Sequence, residues 1–327
     1  MAGVPSLDVQ VLTELTTAQA DEVRRLAAAA ARADGVAALS EQTLLSLSPQ
    51  RASTTDGDAP SGRVRHYLEY AAGDLRGYAQ ADGEGPDASV ELVVDPGHRR
   101  EGVGGALWAV VSRVHPQARA WAHGNLPAAR AFAAGLGLSP VRELHKMSRP
   151  LGPQDTDPAA SALPEGFTAR TFVPGQDDEA WLETNAAAFA SHPEQGRMTM
   201  ADLRERMAQE WFDPGGFIIV ESAEAPGRVA AFHWTKVDPA ERSSTDPTRP
   251  PGEVYVVGVH PAYQGRGLAR PLTALGLAHL AGLGLPEVVL YVDGDNTAAL
   301  RTYTGLGFRS MMVDVMYSDA VHGEVSG

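Results

Sequence analysis

The chain contains no cysteine. Disulfides, thiolate metal sites and a cysteine nucleophile are thereby excluded. Lysine is almost as scarce: of 27 basic residues only Lys146 and Lys236 are lysine, and the others are arginine. Acidic residues outnumber basic ones by 41 to 27, a net charge of −14, which makes a poor partner for nucleic acid. No apolar run reaches 18 residues, and no basic stretch leads into an apolar one near Met1. Neither a membrane span nor a signal peptide is expected, and the chain reads as a cytoplasmic protein. The ten histidines show no ligand-like spacing, so no metal is expected. A small-molecule substrate and a monomeric state are the expectations that remain.

What the chain does have, it has twice. Asp95-Pro96-Gly97-His98-Arg99-Arg100-Glu101-Gly102-Val103-Gly104-Gly105-Ala106-Leu107 recurs 165 residues later as His260-Pro261-Ala262-Tyr263-Gln264-Gly265-Arg266-Gly267-Leu268-Ala269-Arg270-Pro271-Leu272. A β-branched run precedes each copy, Val90 to Val94 and Val254 to Val259, and an Ala/Leu-rich helical stretch follows. Gly135-Leu136-Gly137 and Gly305-Leu306-Gly307 then close the two copies. A repeat at half of 327 residues means two copies of one domain. Strands alternating with helices, plus a hairpin in each copy, predict a mixed α/β (α+β) fold. Each copy is expected to be a mostly antiparallel, twisted sheet flanked by helices. The expected boundaries are 1–150, a Pro-, Gly- and Asp-rich linker at 151–166, and 167–327.

The repeated unit is strand, Gly-rich turn, helix. Small residues let the backbone approach a ligand closely, and the free N–H groups of the helix's first turn attract an anion. Arg100 and Arg266 lie within the turns and can add charge-assisted bonds to phosphate. The spacing lacks the Gly-x-Gly-x-x-Gly of dinucleotide folds and the Gly-Lys-Ser/Thr ending of triphosphate loops. Arg99-x-x-Gly102-x-Gly104 and Gln264-x-x-Gly267-x-Ala269 instead resemble the acyl-CoA pyrophosphate loop of the GNAT superfamily of N-acetyltransferases. The resemblance implies acetyl-CoA as co-substrate, and strands that splay to lend backbone groups at Val257, Gly258 and Val259, and at Leu92, Val93 and Val94.

Comparing the copies with each other separates chemistry from scaffold. On the 165 register Glu253 faces Ala88; aligned on Gly-Leu-Gly, an offset of 170, Tyr303 faces Ala133 and Asn296 faces Leu126. Amide formation needs a base for the amine and an acid for the departing thiolate, and only the second copy owns a carboxylate and a phenol at these places. Glu253 is the expected base. Tyr303 is the expected acid, as the family also implies. His192-Pro193-Glu194-Gln195-Gly196-Arg197 and Lys236 supply donors and acceptors suited to a hydroxyl-rich amine.

Those runs, with Gly252-Glu253-Val254-Tyr255, Tyr291-Val292-Asp293-Gly294 and Trp121-Ala122-His123-Gly124, narrow the resemblance. They look like the tandem-domain branch that acetylates the cysteinyl amine of cysteinyl-glucosaminyl-inositol. The resemblance implies substrate contacts at Glu41, Glu194, Lys236, Glu253 and Tyr291. It implies acetyl-CoA contacts at Val257 to Val259, along Gln264-Gly265-Arg266-Gly267-Leu268-Ala269-Arg270, and along Asn296-Thr297-Ala298-Ala299-Leu300-Arg301. In the first copy it implies a retained, non-catalytic acetyl-CoA site at Leu92 to Val94 and Arg100-Glu101-Gly102-Val103-Gly104-Gly105. Pro271 is tolerable only within the first turn of its helix. Another amine, such as a protein N-terminus or an aminoglycoside, and a non-catalytic acyl-CoA binder remain as alternatives.

Overall fold

The computed structural model describes residues 8–47, 64–85, 88–190 and 195–319. In chain order the first half gives β1 (Val9–Leu12), α1 (Thr17–Asp34), α2 (Glu41–Ser46), β2 (Val64–Ala71), β3 (Asp74–Asp82) and β4 (Ser89–Val94). It continues with α3 (Val103–Val114), β5 (Arg119–Ala122), α4 (Pro127–Gly135) and β6 (Leu138–Pro150). The second half gives β7 (Phe167–Thr171), α5 (Asp178–Ala188), α6 (Met200–Met207), β8 (Phe217–Ser222), β9 (Ala225–Lys236) and β10 (Gly252–Val259). It ends with α7 (Ala269–Gly282), β11 (Glu287–Asp293), α8 (Thr297–Gly305) and β12 (Arg309–Asp319).

Local chemistry sets the helix ends. Thr16 and Gln19 form a capping box ahead of α1, and Gly35, at φ +71°, ends that helix in the left-handed conformation. Thr199 and Asp202 do the same at the start of α6. Pro271 is the third residue of α7, inside the turn whose N–H groups have no intrahelical partner, so the helix accepts it.

Two compact units result: one runs to Leu144 and takes up the chain again from Val313, and the other spans His145–Met312. These bounds differ from the sequence halves at both closing strands. Within the first unit the strand order is β1-β2-β3-β4-β5-β12, with Val315, Met316 and Tyr317 antiparallel to Ala122, Trp121 and Ala120. Within the second it is β6-β11-β10-β9-β8-β7. Each unit is thus completed by part of a strand from the other half of the sequence: β12 from Val313 in the first unit, and β6 from His145 in the second. Ladder bonds between backbone groups decide this, and they leave no local trace in residue type. The expected linker carries its own structure: Gly152 N–H donates to Asp155 (2.9 Å), Arg149 pairs with Asp155, and Leu151 N–H donates to Pro286 O (3.1 Å).

In both units helices cover the two faces of the sheet. In the first, α1 packs Val23 and Leu26 on Leu68, Tyr78 and Val93, while α3 packs Leu107 and Val111 on the other face with Tyr67 and Val90. In the second, Trp181 of α5 and Leu203 of α6 meet Phe217, Phe232 and Trp234 on one face. Leu277 and Leu280 of α7 and Tyr303 of α8 meet Val254, Val288 and Leu290 on the other. Each such aliphatic or aromatic side chain contributes roughly 1.5–3 kcal/mol when fully buried.

Candidate active site

The site begins with a bulge. On β10 Val254 pairs with Thr235 of β9 and Val256 pairs with Trp234, so Tyr255 is an extra residue between them. Val254 therefore packs on the α7 face, while Tyr255 and the next residue, Val256, both lie in the α5/α6 cluster. Val257 returns to the α7 side. At the corresponding place in the first unit, β3 and β4 pair without a break from Asp82–Ser89 to Gly77–Val94.

The second element is an opening. The parallel register of β10 with β11 covers only Gly252, Glu253 and Val254 opposite Val288, Val289 and Leu290. Beyond it the strands part. His260 N–H donates to Ala230 O (2.9 Å), which fixes the alternation, so the backbone groups of Val257 and Val259 point away from β9 into the opening. The first unit repeats this: β4 and β5 pair only at Ser89–Arg119 and Val90–Ala120, and Asp95 N–H donates to Arg76 O (2.8 Å), turning Leu92 and Val94 outward.

The two Gly-rich turns follow one backbone path. Gly265 and Gly267 have φ +75° and +79°, and their counterparts Arg100 and Gly102 have φ +69° and +91°. A non-glycine residue in that region carries about 1–2 kcal/mol of strain, which Arg100 sustains. Gln264 Nε2 donates to Val259 O (3.2 Å) and Arg99 Nε donates to Val94 O (3.3 Å), so both side chains tie turn to strand. Arg99 also forms a two-pronged pair with Asp34 (2.7 and 2.7 Å). Arg266 pairs with Glu224 (3.0 Å) and lies over Tyr263. Gln264, Gly265, Arg266, Gly267, Ala269 and Arg270 are exposed, leaving the start of α7 open. The Asn296 side chain accepts from Ala299 N–H (3.1 Å) and caps α8, whose first residues Thr297 and Ala298 are exposed.

Around the opening, Glu253 stands directly opposite Lys236 of β9 and opposite Val289 of β11, so these side chains share the α5/α6 face. Lys236 is 5% exposed; its ammonium lies 5.0 Å from the Trp211 ring centre, 5.5 Å from that of Tyr255 and 3.8 Å from Asp238 Oδ2. Tyr291, two residues beyond Val289 on β11, is 41% exposed and has the Lys146 ammonium over its ring. Tyr303 sits on the opposite face, 8% exposed and edge-on to Phe308. Burial pushes its phenol up to about 12. The sheet thus separates Glu253, in the last paired segment of β10 and β11, from Tyr303, which shares a cluster with Val254, Val288 and Leu290 on the other face. Glu194 lies outside the described residues, and Glu41 is the first residue of α2 in the first unit.

Sequence spacing misplaces one counterpart. Arg119 corresponds to Val289 at the 170 offset and pairs with Ser89, as Val289 pairs with Glu253, so Ser89 rather than Ala88 stands at the Glu253 position. The bulge shifts the register by one. Nothing in the sequence announces a buried cluster in the first unit: His123 and Glu91 lie in runs noted for other reasons, and Asp314 lies in none. The His123 Nδ1 is 3.1 Å from Asp314 and its Nε2 3.5 Å from Glu91. Burial lowers the His123 pKa, but bonds to Asp314 and the pair with Glu91 outweigh that and lift it to about 10. Burial likewise raises Glu91, and His123 and Ser40 overcome it, so the carboxyl ends below its ordinary range. The Trp211 and Tyr255 rings around Lys236 were not anticipated either, because nothing local announces which aromatic residues converge.

Residues 181–308 match the acetyltransferase (GNAT) family model. A mycothiol acetyltransferase from Streptomyces bingchenggensis is 49% identical over 322 residues, 97% of this chain and 97% of that one. Another from Streptomyces coelicolor is 48% identical over 312 residues, 94% of each chain. The chain belongs to the mycothiol acetyltransferases, within the GNAT family. The fold agrees with that of a tandem GNAT protein from the clavulanic acid biosynthesis pathway, at 20% identity, a TM-score of 0.66, and coverage of 95% and 98%. Among the described residues of this family member no helix is long and apolar enough to cross a membrane.

Proposed function

We propose that the second unit transfers the acetyl group of acetyl-CoA to the cysteinyl amine of cysteinyl-glucosaminyl-inositol, giving mycothiol. Acetyl transfer in mycothiol biosynthesis follows from the family; the acceptor amine, the cofactor contacts and the residue roles are the proposal. The observation that supports it is that Glu253 and Tyr303 lie on opposite faces of the sheet, with Val254, the last residue of β10 paired to β11, in the Tyr303 cluster. The exposed first turn of α7 supplies N–H groups and a helix dipole for the pyrophosphate, as an acidic protein needs for an anionic co-substrate.

The chemistry is direct. An α-amino group has a pKa of about 7.7–8.0, so much of the acceptor arrives as ammonium and must lose a proton. Glu253 takes it, directly or through a water. With that first proton passed on to solvent, the free amine attacks the thioester carbonyl, whose oxygen is polarised by backbone N–H from Val257 or Val259 in the opening, and Glu253 takes the second proton that the nitrogen sheds as the C–N bond forms. The C–S bond then breaks, and the Tyr303 phenol, held protonated by burial, gives its proton to the departing thiolate. In the first unit the same turn and opening face Ser89 and Ala133, which support capture of acetyl-CoA without proton transfer.

The test is CoA release from acetyl-CoA with cysteinyl-glucosaminyl-inositol and a panel of other amines, including an aminoglycoside and a peptide N-terminus. Fast turnover of the inositol-linked amine is expected. A slow reaction there beside fast turnover of another amine overturns the acceptor, and binding of acetyl-CoA with no release to any amine overturns the transfer.

A further inference from the structure

The connection between β9 and β10 leaves the sheet directly after Lys236 and re-enters it at Gly252, one residue before Glu253. It spans residues 237–251, whereas its counterpart in the first unit, between β3 and β4, spans only 83–88. An irregular connection of that length inside a compact unit is uncommon and is usually functional. Pro239, Pro247, Pro250 and Pro251 restrict it, and the Ser243 N–H donates to Arg249 O (2.9 Å), closing it on itself.

One buried carboxylate fastens this connection to the sheet. Glu287, 2% exposed at the start of β11, accepts from Ser243 Oγ (2.7 Å), from Ser244 N–H (2.8 Å) and from Ser244 Oγ (2.7 Å). Burial raises its carboxyl, but bonds from Ser244, Ser243 and Ser148 outweigh that and hold it below the ordinary carboxylate range. Strand alternation fixes the face. Val288, Leu290 and Val292 pack on the α7/α8 side, so Glu287 and Val289 point to the α5/α6 side, which also carries Glu253. Glu253 stands opposite Val289, and Glu287 lies two residues, about 7 Å, further from the opening between β10 and β11.

We propose that Glu287 is a positioning residue for the acceptor: it holds the 237–251 connection as a wall beside Glu253, against the part of the acceptor beyond its amine. This rests on the reading that Glu253 faces the acceptor. With the amine between Glu253 and the opening, the sugar and inositol rings extend the other way, toward the fastened connection. The internal comparison supports a role in what the second unit does. At the 170 offset Gln117 stands in the place of Glu287 in the first unit, and the connection beside it is cut short. The unit that has Ser89 in place of the base thus also lacks the long connection and the carboxylate that fastens it.

Steady-state kinetics of the full chain test the idea, with acetyl-CoA, cysteinyl-glucosaminyl-inositol and the shorter cysteinyl-glucosamine varied in turn. Glu287→Gln replaces one acceptor oxygen by a donor and is expected to raise the KM for the full acceptor about tenfold. The KM values for acetyl-CoA and for the shorter amine should stay within about twofold. Ser244→Ala is the milder variant, because the Ser243 Oγ and Ser244 N–H bonds remain; it should raise the KM for the full acceptor about threefold, and Ser244→Thr, which keeps the hydroxyl, should restore it. An unchanged KM for the full acceptor in both Glu287→Gln and Ser244→Ala overturns the proposal. So does an equal rise in all three KM values, which marks general loss of packing. If the wild type turns over neither amine, the acceptor reading falls and this proposal with it; if it turns over the full acceptor and the variants behave alike, the fastening alone fails.

Discussion

The His123 imidazole lies 3.1 Å from the carboxylate of Asp314, although 191 residues separate them in the chain. The other Asp314 oxygen accepts the Gly124 N–H at 2.6 Å, and Tyr317 donates to Asn125 at 2.8 Å. The returning strand β12 is therefore fastened to the β5–α4 turn of the first unit by side chains as well as by its ladder.

This cluster makes stability depend on pH. His123 is raised to about 10, so its contribution is complete below its ordinary value near 6.5 and is lost as pH climbs through 10. Glu91 is lowered, so its contribution is present above its ordinary range and lost on acidification. His123→Asn leaves Glu91 and Asp314 with their backbone N–H donors but without their shared cation, and should cost about 3 kcal/mol near neutrality, the lower end for breaking a buried pair. Thermal unfolding from pH 6 to 10.5 is the measurement. The gap between wild type and variant should narrow on the alkaline side, and a constant gap would remove the imidazolium from the account.

Glu253→Gln should lower kcat/KM by about 100-fold near pH 7, the lower end for loss of a general base. The deficit should shrink at high pH, where the acceptor is already free amine. A pH–rate series on both proteins decides it; a uniform deficit at all pH values would assign Glu253 to binding alone.

Tyr303→Phe should reduce kcat by about 100-fold and barely change the KM for acetyl-CoA. Because the phenol is held near 12, wild-type kcat should not fall through loss of this proton below about pH 11. If kcat of the variant equals that of wild type, the thiolate leaves without help from this residue.

Gly102 and Gly267, at φ +91° and +79°, allow the two turns to be tested separately. Gly267→Val should abolish most turnover, and Gly102→Val should remove one of two acetyl-CoA sites while keeping most activity. Calorimetric stoichiometry on the full chain reads this out; one site per chain in the wild type would make the first turn scaffold only. The full chain is required, because a fragment of residues 1–150 lacks the strand that completes the first unit.

The sequence by itself determined what is local. Gly-rich turns, capping residues and alternating β-branched runs act within a few residues, so the order of elements, the duplication and the positions of Glu253 and Tyr303 on their elements are all legible in it. Tertiary structure decided what depends on ladder bonds between distant strands. The extra residue at Tyr255 moves the counterpart of Glu253 from Ala88 to Ser89, and no residue type marks where a ladder will slip. The division of β6 and β12, each of which begins in one unit and ends in the other, has the same origin, since any backbone can pair with any other. The meeting of Trp211, Tyr255 and Lys236, like that of His123, Glu91 and Asp314, exists only once those strands and helices have packed.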